Sequence, residues 1–309
     1  MPPLVSLPAT SRLVLLLPLI SLSALALRRA APGRLAAAKL LGSRRDLTSF
    51  EKGPPPAAAG LTETDITLNR LRSAVKKAAP TIIEGLRTAG WVYVDNFLSD
   101  AFCTTLREEA VGLYDADRFE TSQSTRWCPV KNELVFYDKH NVFSMQLNGG
   151  EDYWRAPRLH EYTVGLIRAI VPELRAAFPE ALLSDTLASN KLAVCTGDGS
   201  AYDKHFDNSG LDDVRKVTIL YYMNRGWTEE NGGCFRIYNP QGSASELTDI
   251  QPQGDRLLCF WSDVLVHSVQ PSFAPRGAKD HRYALTVWLT STSPAAIVRD
   301  DEEVKRHFG

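Results

Sequence analysis

Apolar residues at Ile66, Leu68, Leu71, Val75, Ile82, Ile83 and Leu86 recur at helical spacing, which predicts an amphipathic helix over 62–88, divided into two pieces by Pro80. A second helix is predicted over 100–114, with Phe102, Leu106, Ala110 and Leu113 on its apolar face, Ser99 as N-cap and Asp100 as early negative charge. A third spans 157–178, with Pro157 at its start and an interruption expected at Pro172. Elsewhere the period drops to two. A strand is predicted at 91–95, and 133–138 and 142–147 alternate like a pair of strands. Further strands follow at short intervals, at 191–196, 216–224, 234–238, 247–251, 256–261, 266–270 and 282–290. This pattern predicts an α+β chain that is mainly β, an antiparallel sandwich or barrel supported by N-terminal helices.

The first 45 residues differ in kind. Their charges are all basic (Arg12, Arg28, Arg29, Arg34, Lys39, Arg44, Arg45), and the first acid is Asp46. The apolar run 13–27 has signal-peptide length, and Ala24, Leu25 and Ala26 offer a small-residue cleavage site. Residues 1–45 are therefore expected to be a targeting leader, first of all a signal peptide for the secretory pathway, to the ER or Golgi lumen. A transit peptide to an organelle also fits the Arg-rich stretch. An uncleaved signal anchor would make this a membrane protein, but Arg28 and Arg29 on its C-terminal flank oppose a lumenal domain. Residues 46–61, with GPPPAAAG, read as a Pro/Ala-rich linker, and 296–309, with DDEEVKRHFG, as a charged tail in which His307 has no partner set.

With 44% hydrophobic residues in 309, the chain can bury a large core, and a net charge of −1 gives no field to gather nucleic acid. No nucleic-acid partner is expected, and membrane contact only through an uncleaved leader. The five cysteines, Cys103, Cys128, Cys195, Cys234 and Cys259, are odd in number and scattered, which suits neither a zinc cage nor a disulfide framework. A Cys103–Cys128 pair stays open for a lumenal domain. The phosphate-binding glycine motifs, the nucleophile elbow and internal repeats are all missing from the sequence.

Candidate chemistry concentrates between 201 and 288. In AYDKHFDN, His205 and Asp207 stand at i and i+2, so a strand would point both to one side; His267, in WSDVLVHSVQ, follows the apolar run DRLLCFW. Two imidazoles and one carboxylate suit a non-haem Fe(II) centre with open positions. Taken alone, the His-x-Asp pair also fits a surface turn. In RYALTVWL, alternation sets Arg282, Ala284, Thr286 and Trp288 on one face, where a guanidinium aimed into a barrel mouth calls for an anion. Arg276 and Lys279 compete for that part.

The order of KHFDN, KVTILYYMN, NGGCFRIY, DRLLCFWSD, His267 and RYALTVWL resembles the prolyl 4-hydroxylase branch of the 2-oxoglutarate and Fe(II)-dependent dioxygenases, densely from 190 to 289. The resemblance implies a double-stranded β-helix, or jelly-roll, core at 186–295, supported by helices and strands at 62–185. It implies Fe(II) held by His205, Asp207 and His267, and 2-oxoglutarate gripped by Arg282 and by the hydroxyl of Tyr222, or of Tyr221 if the strand parity is reversed. Tyr202 keeps a family counterpart beside the metal or substrate, and Cys195 stands where hypoxia-sensing relatives carry a tyrosine. The implied reaction consumes O2 and 2-oxoglutarate, releases succinate and CO2, and hydroxylates a peptidyl proline, with ascorbate as reductant. Asp207, where halogenating relatives carry Gly or Ala, favours hydroxylation. Trp288, Arg215 and Arg236 are candidates for the substrate groove. A free amino acid or small metabolite is the alternative substrate; a non-catalytic jelly-roll binding module and a zinc hydrolase are readings of other classes.

Overall fold

Helix α1, Glu63–Thr88, begins at a reciprocal cap between Thr62 and Asp65 and runs unbroken through Pro80. The expected division at Pro80 does not occur. An internal proline costs about 3 kcal/mol, whereas each large buried side chain on the stripe, among them Leu71, Val75, Ile82 and Leu86, contributes roughly 1.5–3 kcal/mol, so packing wins. The same holds for Pro172 inside the helix Pro157–Ala177. The structure, a computed structural model, describes residues 62–298 apart from 129, 131–132, 209–211, 239–246 and 274–276. The expected leader and linker, most of the tail, Arg276 and His307 lie outside the described residues.

In chain order, α1 is followed by β1 (Trp91–Val94), α2 (Asp100–Asp115), β2 (Glu120–Cys128), β3 (Glu133–Met145), α3 (Glu151–Arg155) and α4 (Pro157–Ala177). The remaining strands are β4 (Leu183–Cys195), β5 (Ser200–His205), β6 (Arg215–Tyr222), β7 (Phe235–Tyr238), β8 (Leu247–Ile250), β9 (Arg256–Trp261), β10 (His267–Ser272) and β11 (Arg282–Ser291). Ser99 caps α2 by accepting from Phe102 N. Segments 133–138 and 142–147 do not pair with each other: they belong to the single strand β3, whose partner β2 is ETSQSTRWC, a polar run without apolar alternation. An edge strand has one ladder partner and needs no buried face, so the period-2 signal is missing there.

Seven strands form one antiparallel sheet in the order β1-β9-β6-β11-β4-β3-β2, and four form a second, β5-β10-β7-β8. Together they make the jelly roll, a core of apolar residues lying between them with Tyr222, Leu258 and Phe260 from the first sheet and Phe235, Ile237 and Ile250 from the second. The outer face of the large sheet is covered by helices. Leu192, Val194, Ile219, Tyr221, Leu257, Leu285 and Val287 project there against Leu71, Ile82, Tyr162 and Leu166. Gly165 lets α4 approach α1 closely, because a Cβ there would stand 2.6 Å from Leu71 Cδ1. Among the described residues no helix is long and apolar enough to cross a membrane.

Candidate active site

β11 separates the two faces of the large sheet by simple alternation. Tyr283, Leu285, Val287 and Leu289 enter the helical core, whereas Arg282, Ala284, Thr286 and Trp288 line a pocket between the sheets. β6 divides in the same way, so Tyr222 reaches the pocket and Tyr221 does not.

His205, Asp207 and His267 converge at one end of this pocket, with one ligand atom of each within 4.8 Å of the others. The two histidines are brought together by register: β10 pairs with β5 so that His267 stands opposite His205, their ring centroids 4.3 Å apart. Each imidazole is oriented by a carbonyl two residues before it, His205 Nδ1 by Asp203 O at 2.7 Å and His267 Nδ1 by Leu265 O at 3.0 Å. A carbonyl can only accept, so Nδ1 carries the proton and the Nε2 lone pair is left for a cation. Phe235 stacks on His267 at 4.7 Å.

Asp207 does not belong to the strand that carries His205, since β5 ends at His205. The i, i+2 argument therefore accounts for His205 alone, and tertiary hydrogen bonds orient the carboxylate. Asp207 Oδ2 accepts from the Thr218 hydroxyl at 2.7 Å and from Trp288 Nε1 at 3.1 Å. Oδ1 then faces the imidazoles, 3.5 Å from His205 Nε2 and 3.6 Å from His267 Nε2. Burial pushes this carboxyl up, but the imidazoles of His267 and His205 outweigh it and hold it well below the usual carboxylate range. Asn208, next in the chain, donates to Asp213 O and Arg215 O.

Arg282 lies elsewhere on the pocket wall, only 4% exposed, its Nε donating to Gly233 O at 2.9 Å and its guanidinium 5.2 Å above the Tyr222 ring. Its terminal nitrogens have no partner among the described residues. Gly233 has φ +68°, and a Cβ there would meet Arg282 Cδ at 2.8 Å, so glycine is what admits the arginine. The Tyr222 hydroxyl is buried without a hydrogen-bond partner. Burial, opposed by the Arg282 charge, pushes it up to about 12, which leaves it a neutral donor near neutral pH. A guanidinium with its terminal nitrogens free, beside a phenol without a partner, is a donor set for a carboxylate.

Tyr202 lines the pocket, with two lysine ammoniums over its ring: Lys139 Nζ at 4.2 Å and Lys191 Nζ at 5.5 Å from its centroid. Cys195 is a buried free thiol, and Cys103 is another, 3.8 Å from Tyr222 O; the Cys128 side chain lies outside the described residues. Arg236 is taken by Asp249 through two hydrogen bonds of 2.7 and 2.6 Å, and Arg215 by Asp213 while lying over Trp288. Lys279 contributes its backbone carbonyl to Arg107 rather than competing with Arg282. Sequence reasoning missed Thr218, Lys191 and Lys139. Thr218 shares the parity of Tyr222, and Lys191 that of Ala193 on β4, so a polar residue on the pocket face of an apolar strand was the available signal.

A jelly roll with a two-histidine, one-carboxylate cluster and a buried arginine in the same pocket is an arrangement suited to a non-haem iron centre with an anionic co-substrate. Residues 191–290 match the model of the 2OG-Fe(II) oxygenase superfamily. The chain is 31% identical over 220 residues to human Egl nine homolog 1, covering 70% of this chain and 47% of that protein. It is 29% identical over 217 residues to the hypoxia-inducible factor prolyl hydroxylase of Caenorhabditis elegans, covering 70% and 28% respectively. The chain thus spans less than half the length of these curated relatives. Among solved structures, a Trichoplax adhaerens prolyl hydroxylase in complex with a hypoxia-inducible factor peptide fragment shares the fold, with TM-score 0.59 at 23% identity over 76% of this chain and 97% of that one. Residues 191–290 thus resemble the 2OG-Fe(II) oxygenase superfamily, and the wider match to prolyl hydroxylases takes in about 70% of the chain.

Proposed function

We propose that this protein is a 2-oxoglutarate- and Fe(II)-dependent dioxygenase that hydroxylates a prolyl residue in a peptide or protein. The observation that carries the proposal is the pairing, in one pocket, of the His205, Asp207 and His267 cluster with buried Arg282, which makes a single hydrogen bond to Gly233 O, and the partnerless Tyr222 hydroxyl. His205 and His267 would hold Fe(II) through Nε2 and Asp207 through Oδ1. When bound there, iron and 2-oxoglutarate would supply the oxidising chemistry: decarboxylation to succinate and CO2, with one atom of O2 inserted into a substrate C–H bond.

The protein's own residues would bind and orient. Arg282 and Tyr222 take the carboxylate remote from the metal by charge-assisted hydrogen bonds. Thr218 and Trp288 keep Asp207 turned so that only Oδ1 faces the metal position, and the two backbone carbonyls hold both histidines in the ligating tautomer. Phe235, Leu220 and Val269 make apolar pocket wall that excludes bulk water. Tyr202 and Trp288 offer aromatic surface at the metal end, suited to a proline ring. Ascorbate is proposed as the reductant that keeps the iron ferrous. For the part outside the described residues, the basic, acid-free leader supports delivery to the secretory pathway or an organelle; the alternative is a membrane anchor. Fractionation of the tagged full chain checks this, and an uncleaved cytosolic product would count against it.

The functional test is succinate formation from 2-oxoglutarate with Fe(II) and O2, with and without proline-containing peptides, beside His205→Ala. Peptide-stimulated turnover that is lost in His205→Ala is expected. Co-substrate binding without stimulation by any peptide would shift the substrate to a free amino acid or metabolite. Failure to bind both metal and 2-oxoglutarate would leave a non-catalytic jelly-roll module.

A further inference from the structure

Lys191, on the pocket wall, and Lys139, which lies over the ring of the pocket residue Tyr202, are two cations to which the proposed reaction assigns no task. Lys191 stands on β4 opposite Thr286 of β11 and lines the pocket, its Nζ 5.4 Å from the Trp288 ring and 5.5 Å from that of Tyr202. Lys139 comes from β3 to the same tyrosine. Among the described residues neither ammonium has a hydrogen-bond or ion-pair partner. The carboxylates nearest to them are engaged: Asp207 by Thr218, Trp288 and the histidines, and Asp203 by the Tyr137 hydroxyl at 2.7 Å.

Two half-buried ammoniums over one aromatic ring are unfavourable without an anion. Lys139 is lowered to about 8, first by burial and then by Lys191; Lys191 is lowered chiefly by burial, with Asp207 opposing. Aromatic faces relieve only part of this cost, so the arrangement is satisfied when an anion enters. Arg282 already provides for one carboxylate. Lys191 lies within electrostatic reach of Asp207, at the metal end of the same pocket. A dicarboxylate with one end at Arg282 and the other at the metal end would present its second carboxylate to Lys191. Small, buried Cys195, near both ammoniums, provides no competing hydroxyl.

We propose that Lys191, supported by Lys139, is a second carboxylate-binding point that fixes the 2-oxoacid end of 2-oxoglutarate independently of the metal. The inference rests on the oxygenase reading above and adds a residue-level specificity determinant to it. The test is calorimetric titration of 2-oxoglutarate into the full chain, with and without Mn(II), for wild type, Lys191→Met, Lys191→Arg, Lys139→Met and Arg282→Ala, each with a melting curve. Lys191→Met should weaken binding about tenfold or more, both with and without Mn(II), and Lys191→Arg should restore most of it. Lys139→Met should have a smaller effect of the same sign. The melting temperature of Lys191→Met should not fall, because an unpaired charge has been removed; if it falls, Lys191→Gln repeats the comparison.

Binding by Lys191→Met within twofold of wild type, while Arg282→Ala is weakened, overturns this inference and leaves the oxygenase reading intact. A loss seen only with Mn(II) also overturns it, since the lysine would then act through the metal site. If wild type fails to bind 2-oxoglutarate at all, the oxygenase reading falls and this inference with it.

Discussion

Arg107 and Arg282 are both arginines drawn into the protein interior, on opposite faces of the large sheet, and they are used in opposite ways. Arg107, on α2, donates to Met223 O, Asn224 Oδ1, Lys279 O and His281 O, all between 2.6 and 3.0 Å, and so ties the helix to the loops after β6 and before β11. Arg282 makes a single hydrogen bond, to Gly233 O. Adjacent tyrosines repeat the contrast. Tyr221 packs with Phe97 and Tyr162 and donates to Asp255 at 2.8 Å, whereas the Tyr222 hydroxyl is left without a partner. Saturated polar groups on the helical face stabilise the sheet, and the rigid sheet can then hold unsatisfied groups on its other face ready for a ligand.

The largest effect that would sharpen this comparison lies at the metal end. Replacing His267 by Ala should reduce Mn(II) affinity by about a hundredfold or more, read by calorimetry, with the far-ultraviolet circular dichroism spectrum retained. Exchanging the roles of the two arginines is the next test. Arg107→Ala should cost about 3 kcal/mol of stability, because several acceptors lose their donor, and should leave 2-oxoglutarate affinity nearly unchanged in the folded protein. Arg282→Ala should do the reverse, weakening 2-oxoglutarate by about 10–100-fold at nearly constant melting temperature. An Arg282→Ala variant that melts far lower while binding normally would break the contrast.

Gly233→Ala should sit between these cases. It demands a positive φ from alanine and pushes on Arg282 Cδ, so both a loss of about 1–2 kcal/mol in stability and several-fold weaker 2-oxoglutarate binding are expected from denaturation and titration. The smallest effects come from the tyrosine pair. Tyr221→Phe should destabilise by about 1 kcal/mol without touching co-substrate affinity, and Tyr222→Phe should weaken binding a few-fold without loss of stability. Equal effects from both would mean that the two faces are not functionally separate.

Much of this division was legible along the chain. The alternation in RYALTVWL assigns Arg282 and Trp288 to the face opposite Tyr283 and Leu285, as the packing has it. Whether Tyr221 or Tyr222 meets the pocket depends on which side of β6 the helices cover, a fact that no local pattern contains. The strand β2 escaped notice because its sequence is polar and lacks apolar alternation, and the exposed stretch near the start of β4 because hydrophobic periodicity reports burial, of which it has little. The two helices continue through Pro80 and Pro172 because the burial of apolar stripes on both sides of each proline outweighs one missing hydrogen bond.

The sequence by itself determined which chemistry was available: imidazole, carboxylate and guanidinium, at spacings that strands can present, since side-chain direction along a strand follows from a local period of two. The tertiary structure alone decided which of these groups meet. The register that sets His267 against His205, the Thr218 and Trp288 donors that turn Asp207, and the approach of Lys139 and Lys191 to one tyrosine all join residues distant along the chain. Such proximities depend on how whole sheets pair and pack, a sum over many contacts that no single segment encodes.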